Sequence, residues 1–263
     1  MRQSRSAEFY RRVYEEKEYS KEATAESHPF AQALLQFVQG YSLTDAKCVE
    51  IGSGRGAFQD VVADYTGVDY SSSVARYYHK PFVNAACEEL PFHDNCFDAA
   101  WSYAVLEHVD KPEEALREIR RVLKPDGLLL LAPAWQCRPW AAEGYPVRPY
   151  SDFGLWGKVV KASIPIRDSV VFRSLYVFPR RLVRLIHYAS FHRRGPIPFR
   201  YRRLCANFEV FWMSDSDAQN SMDPFDCLLW FDALGDECLN RPSLWSKFFF
   251  RTGPLVLRVR KKN

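Results

Sequence analysis

Apolar positions change their period along the chain, and each change marks an element. Residues 6–20 set Tyr10, Val13 and Tyr14 on one side of a charged stretch, the spacing of an amphipathic helix. Ser27 and Pro29 read as an N-cap and first turn ahead of Phe30, Leu34, Phe37 and Val38 at helical spacing, and Gly40 stops the run. From Lys47 the period shortens. Residues 48–51 predict a buried strand broken by Gly52, Gly54 and Gly56; residues 57–63 predict a helix, 66–68 a second strand closing on Asp69, and 83–86 a third. A fourth strand follows at 97–102. A helix over 112–123 places Ala115, Leu116, Ile119, Val122 and Leu123 inward, and a turn at 124–127 feeds a fifth strand at 128–132. Strands alternating with helices predict an α/β fold whose parallel sheet is covered on both faces.

After Pro133 this rhythm breaks. Residues 134–205 carry aromatics and arginines without clean alternation. Order returns with a strand at 208–213, a helix over 224–234 behind an N-cap at Asp223, and a final strand at 254–260. The chain therefore reads as one domain: an N-terminal helical cap (1–40), a ligand-binding core (41–136), an inserted basic and aromatic cap (137–205) and the C-terminal end of the sheet (206–263).

Charge matters in the insertion. The whole chain of 263 residues carries a formal net charge of only +4. Residues 156–205, however, hold Lys158, Lys161, Arg167, Arg173, Arg180, Arg181, Arg184, Arg193, Arg194, Arg200, Arg202 and Arg203, with Asp168 as their one acid. Pro179 is expected to open a short helix with Leu182, Leu185 and Ile186 on one face and arginines on the other. A basic, amphipathic, aromatic-rich segment suits an anionic membrane surface or an acidic, lipid-linked acceptor. It equally suits a cap whose apolar side packs on the domain while the arginines meet water. Nucleic acid fits less well, because no recognition module accompanies the charge. Trp135, Arg138, Trp140, Tyr145, Arg148 and Tyr150, directly after the fifth strand, are expected to help roof an acceptor pocket.

Composition narrows the class. At 47% hydrophobic residues the chain is too apolar for disorder. Seven scattered cysteines with no C-x-x-C pair suggest neither a disulfide framework nor a zinc site, so no metal is expected, and they read as reduced thiols of a cytoplasmic protein. No secretory signal is expected at the N-terminus, and no run approaches 18 apolar residues.

The candidate chemistry begins at Glu50, Gly52, Gly54 and Gly56, every second position from the end of the first strand. Glycines there let the backbone turn tightly and approach a ligand, and the helix expected to follow would present free N–H groups. Asp69, closing the next strand, is placed to accept from a ribose diol. On these residues alone a nicotinamide dinucleotide fits as well as an adenosyl cofactor.

The neighbouring motifs separate the two. Glu50-Ile51-Gly52-Ser53-Gly54-Arg55-Gly56, Gly67-Val68-Asp69, Glu89-Leu90-Pro91-Phe92, Phe97-Asp98, Leu106-Glu107-His108-Val109 and Arg121-Val122-Leu123-Lys124-Pro125-Asp126-Gly127 follow in order. Together they resemble class I S-adenosylmethionine-dependent methyltransferases of the type 11-like group, which includes ubiquinone and small-molecule methyltransferases. The resemblance spans residues 48–134. It implies a Rossmann-like, doubly wound, seven-stranded and mostly parallel sheet, and S-adenosylmethionine as cofactor. It further implies that Glu50, Gly52, Ser53, Gly54 and Gly56 hold the methionine end and Asp69 the ribose. Tyr70 would lie against adenine, with Ala86, Cys87 and Glu88 along the adenine edge and Ser102 beneath the sulfonium. Where many relatives carry an aspartate toward the adenine amino group, this chain has Ala86, so a backbone carbonyl or Glu88 must serve.

Methyl transfer from a sulfonium is an in-line displacement in which the protein chiefly aligns the partners. A hydroxyl acceptor also needs a base, and His108 is the candidate. Asp215, Asp217, Asn220 and Asp223 form an acidic cluster that reads as a metal or sugar site, or as a turn followed by the cap of a helix. The function expected is methyl transfer to a small-molecule or glycan-like acceptor, with O-methylation near a membrane. The alternatives are C-methylation of a lipid or quinone, and a non-catalytic cofactor-binding scaffold.

Overall fold

The computed structural model describes residues 2–15, 27–191 and 196–261. Arg193, Arg194 and the 16–20 end of the first expected helix lie outside the described residues. Two helices open the chain, α1 (Arg2–Glu15) and α2 (Ala31–Gly40). The core follows as β1 (Lys47–Ile51), β2 (Asp64–Asp69), β3 (Phe82–Asn84), β4 (Phe97–Tyr103), α3 (Pro112–Val122) and β5 (Leu123–Ala132). Next come the long helices α4 (Leu155–Asp168) and α5 (Val170–Phe191) and the short strands β6 (Tyr201–Arg203) and β7 (Asn220–Met222). The chain finishes with α6 (Pro224–Ala233), β8 (Glu237–Cys238), α7 (Leu244–Phe249) and β9 (Leu255–Arg258).

Seven strands form one sheet in the order β3-β2-β1-β4-β5-β9-β8. The first five are parallel, and β9 runs antiparallel between β5 and β8. This is the expected doubly wound, mostly parallel sheet. The chain leaves β1 toward β2 and β3, then returns to lay β4 and β5 on the other side. That reversal opens a crevice at the carboxyl ends of β1 and β4.

Alternate strand residues feed two cores, because successive side chains point to opposite faces. Val49, Ile51, Ala100, Leu129 and Leu131 pack with Ala115, Leu116 and Ile119 of α3 and with Trp230 of α6. Cys48, Ala99, Trp101 and Leu130 pack on the other face with Leu34, Phe37 and Val38 of α2. The buried runs of these central strands are apolar on both faces apart from Glu50 in β1 and Asp98 and Ser102 in β4, as a sheet buried on both faces favours.

Several local expectations are corrected. Ser27 does not cap α2: Phe30 holds the N-cap position with no side-chain cap, and its amide donates to His28 Nδ1. Residues 57–63 are turns, not a helix. Their amides close i→i+3 bonds (Gln59 to Gly56, Val61 to Phe58) or leave for Thr44, and the Gln59 side chain reaches away to Tyr77 and His79. The 124–127 turn is a bulge inside β5. There the pairing jumps from Leu123 opposite Phe97 to Leu128 opposite Ala99, and Asp126 sits at φ +63°.

The strand expected at 208–213 is absent, since side chains satisfy its backbone. Arg12 takes the carbonyls of Phe208 and Glu209, and Asn207 takes the amides of Glu209 and Val210. The strand in this region is β7, which pairs with β6 in a separate two-stranded sheet. Pro179 lies inside α5 and does not open a helix. The expected faces of that helix hold only in part, with Leu185 packing inward as expected. Arg181 and Arg184 are buried against Asp223 and Asp226, while Leu182, Val183 and Ile186 are exposed. Two carboxylates displayed by the start of α6 draw the arginines inward.

Candidate active site

At the carboxyl end of β1 the chain turns through Gly52 at φ +71°. A Cβ on Gly52 would stand 2.1 Å from Val105 Cγ2, so any side chain is excluded. The amides of Gly52 and Ser53 both donate to the Val68 carbonyl, and the Gly56 amide to the Ser53 carbonyl. The Gly54 amide donates to Asp69 Oδ2 at 2.9 Å, and the Ser71 amide donates to Asp69 Oδ1 at 2.9 Å. Glycine loop and strand-end carboxylate are therefore one bonded unit. Burial pushes the Asp69 carboxyl up to about 6 against the pull of these amides. The loop amides are engaged within the protein, and no helix N-terminus stands above them, which corrects that part of the expected anion cradle.

An open cavity runs from Gly52 and Val68 past Asp69 and Tyr70 to Ala86, Cys87 and Glu88, and on to Val105 and His108. Ser6, Tyr10 and Tyr14 of α1 roof it. The side chain of Tyr14 also stands over Gly54. Tyr78 fills the space that a Cβ on Gly56 or Gly67 would take, and donates to the Gly54 carbonyl at 3.0 Å. Of the residues expected to hold cofactor, Gly52, Asp69, Tyr70, Ala86, Cys87 and Glu88 line this one cavity. Ser53, Gly54 and Gly56 shape the loop behind it. Ser102 is buried in β4 beside Ile51. Glu50 is buried beneath the loop, accepts from the Tyr65 hydroxyl, and is pushed by burial up to about 8.

The cavity fits an adenosyl group. It pairs a carboxylate at a strand end with a half-exposed ring at Tyr70 and an apolar wall at Val68, Ala85 and Ala86. The roof from α1 was not among the expected cofactor contacts. Its signal was the pair Tyr10 and Tyr14, four residues apart on one face of a charged helix.

His108 follows β4 in a short helical turn and lines the same cavity. Its Nδ1 lies 3.0 Å from Asp217 Oδ2, which also accepts from the Tyr10 hydroxyl at 2.8 Å. Its Nε2 lies 3.8 Å from Glu107 Oε1, and that oxygen accepts from the Ala134 amide. The 215–220 segment is clamped here: the Gln219 amide donates to the Glu107 carbonyl, and the Asn220 side chain to the Val109 carbonyl. Burial would lower the His108 pKa, but Asp217, Glu107 and Asp215 overcome it and push the imidazolium up to about 10. Burial raises Glu107 to about 7, with His108 pulling the other way.

The acidic cluster thus divides. Asp217 and Asp215 join His108, whereas Asp223 caps α6 by accepting from the Phe225 amide. Glu107, His108 and Asp215 bring ligand atoms within 4.8 Å of one another. The group sets one imidazole among three carboxylates, those of Asp217, Glu107 and Asp215.

Part of the chain is similar in sequence to known methyltransferases. Residues 49–131 match the family model described as a methyltransferase domain. The sterol 4-C-methyltransferase strm-1 of Caenorhabditis elegans is 30% identical over 32% of this chain and 30% of its own length. The ubiquinone/menaquinone biosynthesis C-methyltransferase UbiE of Hahella chejuensis is 38% identical over 36% of each chain. A solved S-adenosylmethionine-dependent methyltransferase from Mesorhizobium loti superposes with a TM-score of 0.39 at 18% identity, covering 45% of this chain and 58% of that one. The chain spans about a third of the length of these curated relatives. The match to the methyltransferase domain model is confined to residues 49–131 of the 263.

Proposed function

We propose that the chain transfers a methyl group from S-adenosylmethionine to a small-molecule acceptor. One observation carries this reading: Gly52, Asp69, Tyr70, residues 86–88 and His108 line a single cavity at the crevice of the sheet. The bound cofactor supplies a methyl group already activated on a sulfonium. Asp69 accepts from the ribose hydroxyls and Tyr70 lies against the adenine. The Ala86 carbonyl already accepts from the Glu89 amide, so the adenine amino group falls to Glu88, the half-buried carboxylate beside it. The roof of Ser6, Tyr10 and Tyr14 excludes water, and alignment of the reacting atoms is worth about 7–11 kcal/mol.

His108 is assigned to the acceptor side. Held protonated at neutral pH, it is a hydrogen-bond donor that orients an acceptor oxygen and stabilises negative charge on it, and not a ground-state base. Incubating the chain with methyl-labelled cofactor and acceptor extracts tests the reading. Label must pass to a product, and Asp69→Ala must abolish the transfer.

C-methylation of a lipid or quinone is the second reading. The names of the sterol and quinone relatives favour it, as does the outer face of α4 and α5, where Leu155 (85%), Trp156 (78%) and Leu175 (71%) are exposed beside Lys158 and Arg180. No helix among the described residues is long and apolar enough to cross a membrane. That face is proposed to rest on an anionic bilayer surface, apolar side chains inward and cations at the headgroups. Label recovered in the organic phase of a lipid extract supports the lipid acceptor; label confined to the aqueous phase rejects it. Binding to anionic vesicles that weakens with salt supports the surface contact, and equal partition to neutral vesicles rejects it.

A further inference from the structure

A second cavity lies between α5, the β6–β7 sheet and residues 136–140. Six arginines line it against two aspartates. Part of that charge is compensated. Arg138 pairs with Asp168 at 2.7 Å, Arg181 with Asp223 at 2.6 Å, and Arg184 on the adjoining wall takes Asp226 at 2.6 Å. Arg167, Arg180, Arg200 and Arg202 have no carboxylate partner among the described residues.

Two of these four are held without spending their donors. Arg167 lies 4.8 Å from the Trp140 ring centroid and Arg180 5.2 Å from that of Tyr176, which fixes each guanidinium through its charge and leaves N–H groups for a ligand. Arg184 supplies an independent signal. It is 2% exposed, with Nε on Asp226 and Nη2 on the Pro198 carbonyl, and its Nη1 has no partner among the described residues. A buried charged donor left without an acceptor is costly, and an anion in the adjoining space that Arg184 lines with Arg180 and Arg200 would relieve it. The local field agrees: after burial, the charges of Arg138 and Arg251 lower the pKa of neighbouring Arg173.

We propose that this cavity binds a phosphate or diphosphate group. Four guanidinium forks without an ion-pair partner among the described residues match a multiply charged anion with several oxygens, where a single carboxylate would neutralise only one of them. Tyr176, Tyr201 and Met222 line the same cavity and offer an apolar wall to whatever the phosphoryl group is attached to. The phosphoryl group belongs either to a free phosphorylated molecule or to a lipid headgroup presented to the exposed face of α4 and α5. The site shares no lining residue with the cofactor cavity and does not depend on methyl transfer.

Isothermal titration of the full chain with inorganic diphosphate at physiological salt tests the proposal, against Arg180→Ala/Arg200→Ala. Both substituted residues are exposed, so the fold is expected to survive, and thermal melts of the variant check it. Saturable binding to one site, weakened about tenfold or more in the variant, is the expected result. The conservative Arg200→Lys variant should recover part of the affinity. Phosphatidylcholine vesicles with and without phosphatidate separate the sources. Phosphatidate-dependent binding lost in the variant assigns a lipid headgroup; vesicle binding equal in both proteins, with the diphosphate effect intact, assigns a free phosphorylated molecule. Absence of saturable diphosphate binding, or equal affinity in a folded variant, overturns the proposal. S-adenosylhomocysteine titrated into the same samples shows separately whether the methyltransferase reading stands.

Discussion

The backbone amide of Gly54 donates to the Asp69 carboxylate across 2.9 Å, joining the loop after β1 to the end of β2. That bond sets both walls of the cofactor cavity at once, and it leaves the carboxylate facing the space where a ribose would lie. Asp69→Asn loses the charge and, because its Nδ2 cannot accept, one of the two amide bonds from Gly54 and Ser71, and is expected to weaken S-adenosylhomocysteine binding about tenfold; Asp69→Ala should weaken it more. Because burial holds this carboxyl at about 6, affinity should also fall as pH drops from 7 to 5 and the acceptor oxygen is protonated. Calorimetric titration across that range, with wild type and Asp69→Asn compared, checks both statements; a flat profile in wild type contradicts them.

Gly52 is predicted to be irreplaceable. Alanine there meets Val105 at 2.1 Å and must adopt φ +71°. Together these are expected to cost about 2–4 kcal/mol. Val105→Ala in the same chain should restore the steric part and leave the backbone strain of about 1–3 kcal/mol. Denaturant unfolding of the single and double variants measures the two contributions.

Glu50 predicts an alkaline loss of stability. Its folded carboxyl sits at about 8 against an ordinary 4.5, so between those values the folded chain holds a proton that the unfolded chain has released. Stability must then fall as pH rises through that window, by at most about 1.4 kcal/mol per pH unit from this one group. Glu50→Gln retains an acceptor for the Tyr65 hydroxyl and has nothing to ionise. Melting temperatures from pH 5 to 9 should decline less steeply in the variant than in wild type.

The His108–Asp217 pair works in the same direction at higher pH. With the imidazolium raised from 6.5 to about 10, the stability it contributes is complete below 6.5 and is lost as pH rises through 10. An NMR titration should find His108 protonated throughout pH 6–8. Asp217→Asn should bring its titration down toward neutrality. A wild-type midpoint near 6.5 would restore His108 as a candidate base.

The apolar runs that build the sheet were legible because burial on both faces leaves little choice of residue. Asp69 could be placed from its position closing β2. What the sequence concealed was settled by side chains meeting across long separations. Arg12 satisfies the carbonyls of Phe208 and Glu209, erasing an apparent strand from nearly two hundred residues away. Asp223 and Asp226 draw Arg181 and Arg184 inward and turn part of an amphipathic pattern inside out. Asp217 reads locally as a turn residue, and only the fold carries it to His108.

Titration of the 263-residue chain with S-adenosylhomocysteine, beside Asp69→Ala, tests the central claim most directly. Saturable one-to-one binding that the substitution removes while the melting transition survives is the result expected. Absence of binding by the wild-type chain, or binding indifferent to Asp69, would contradict it.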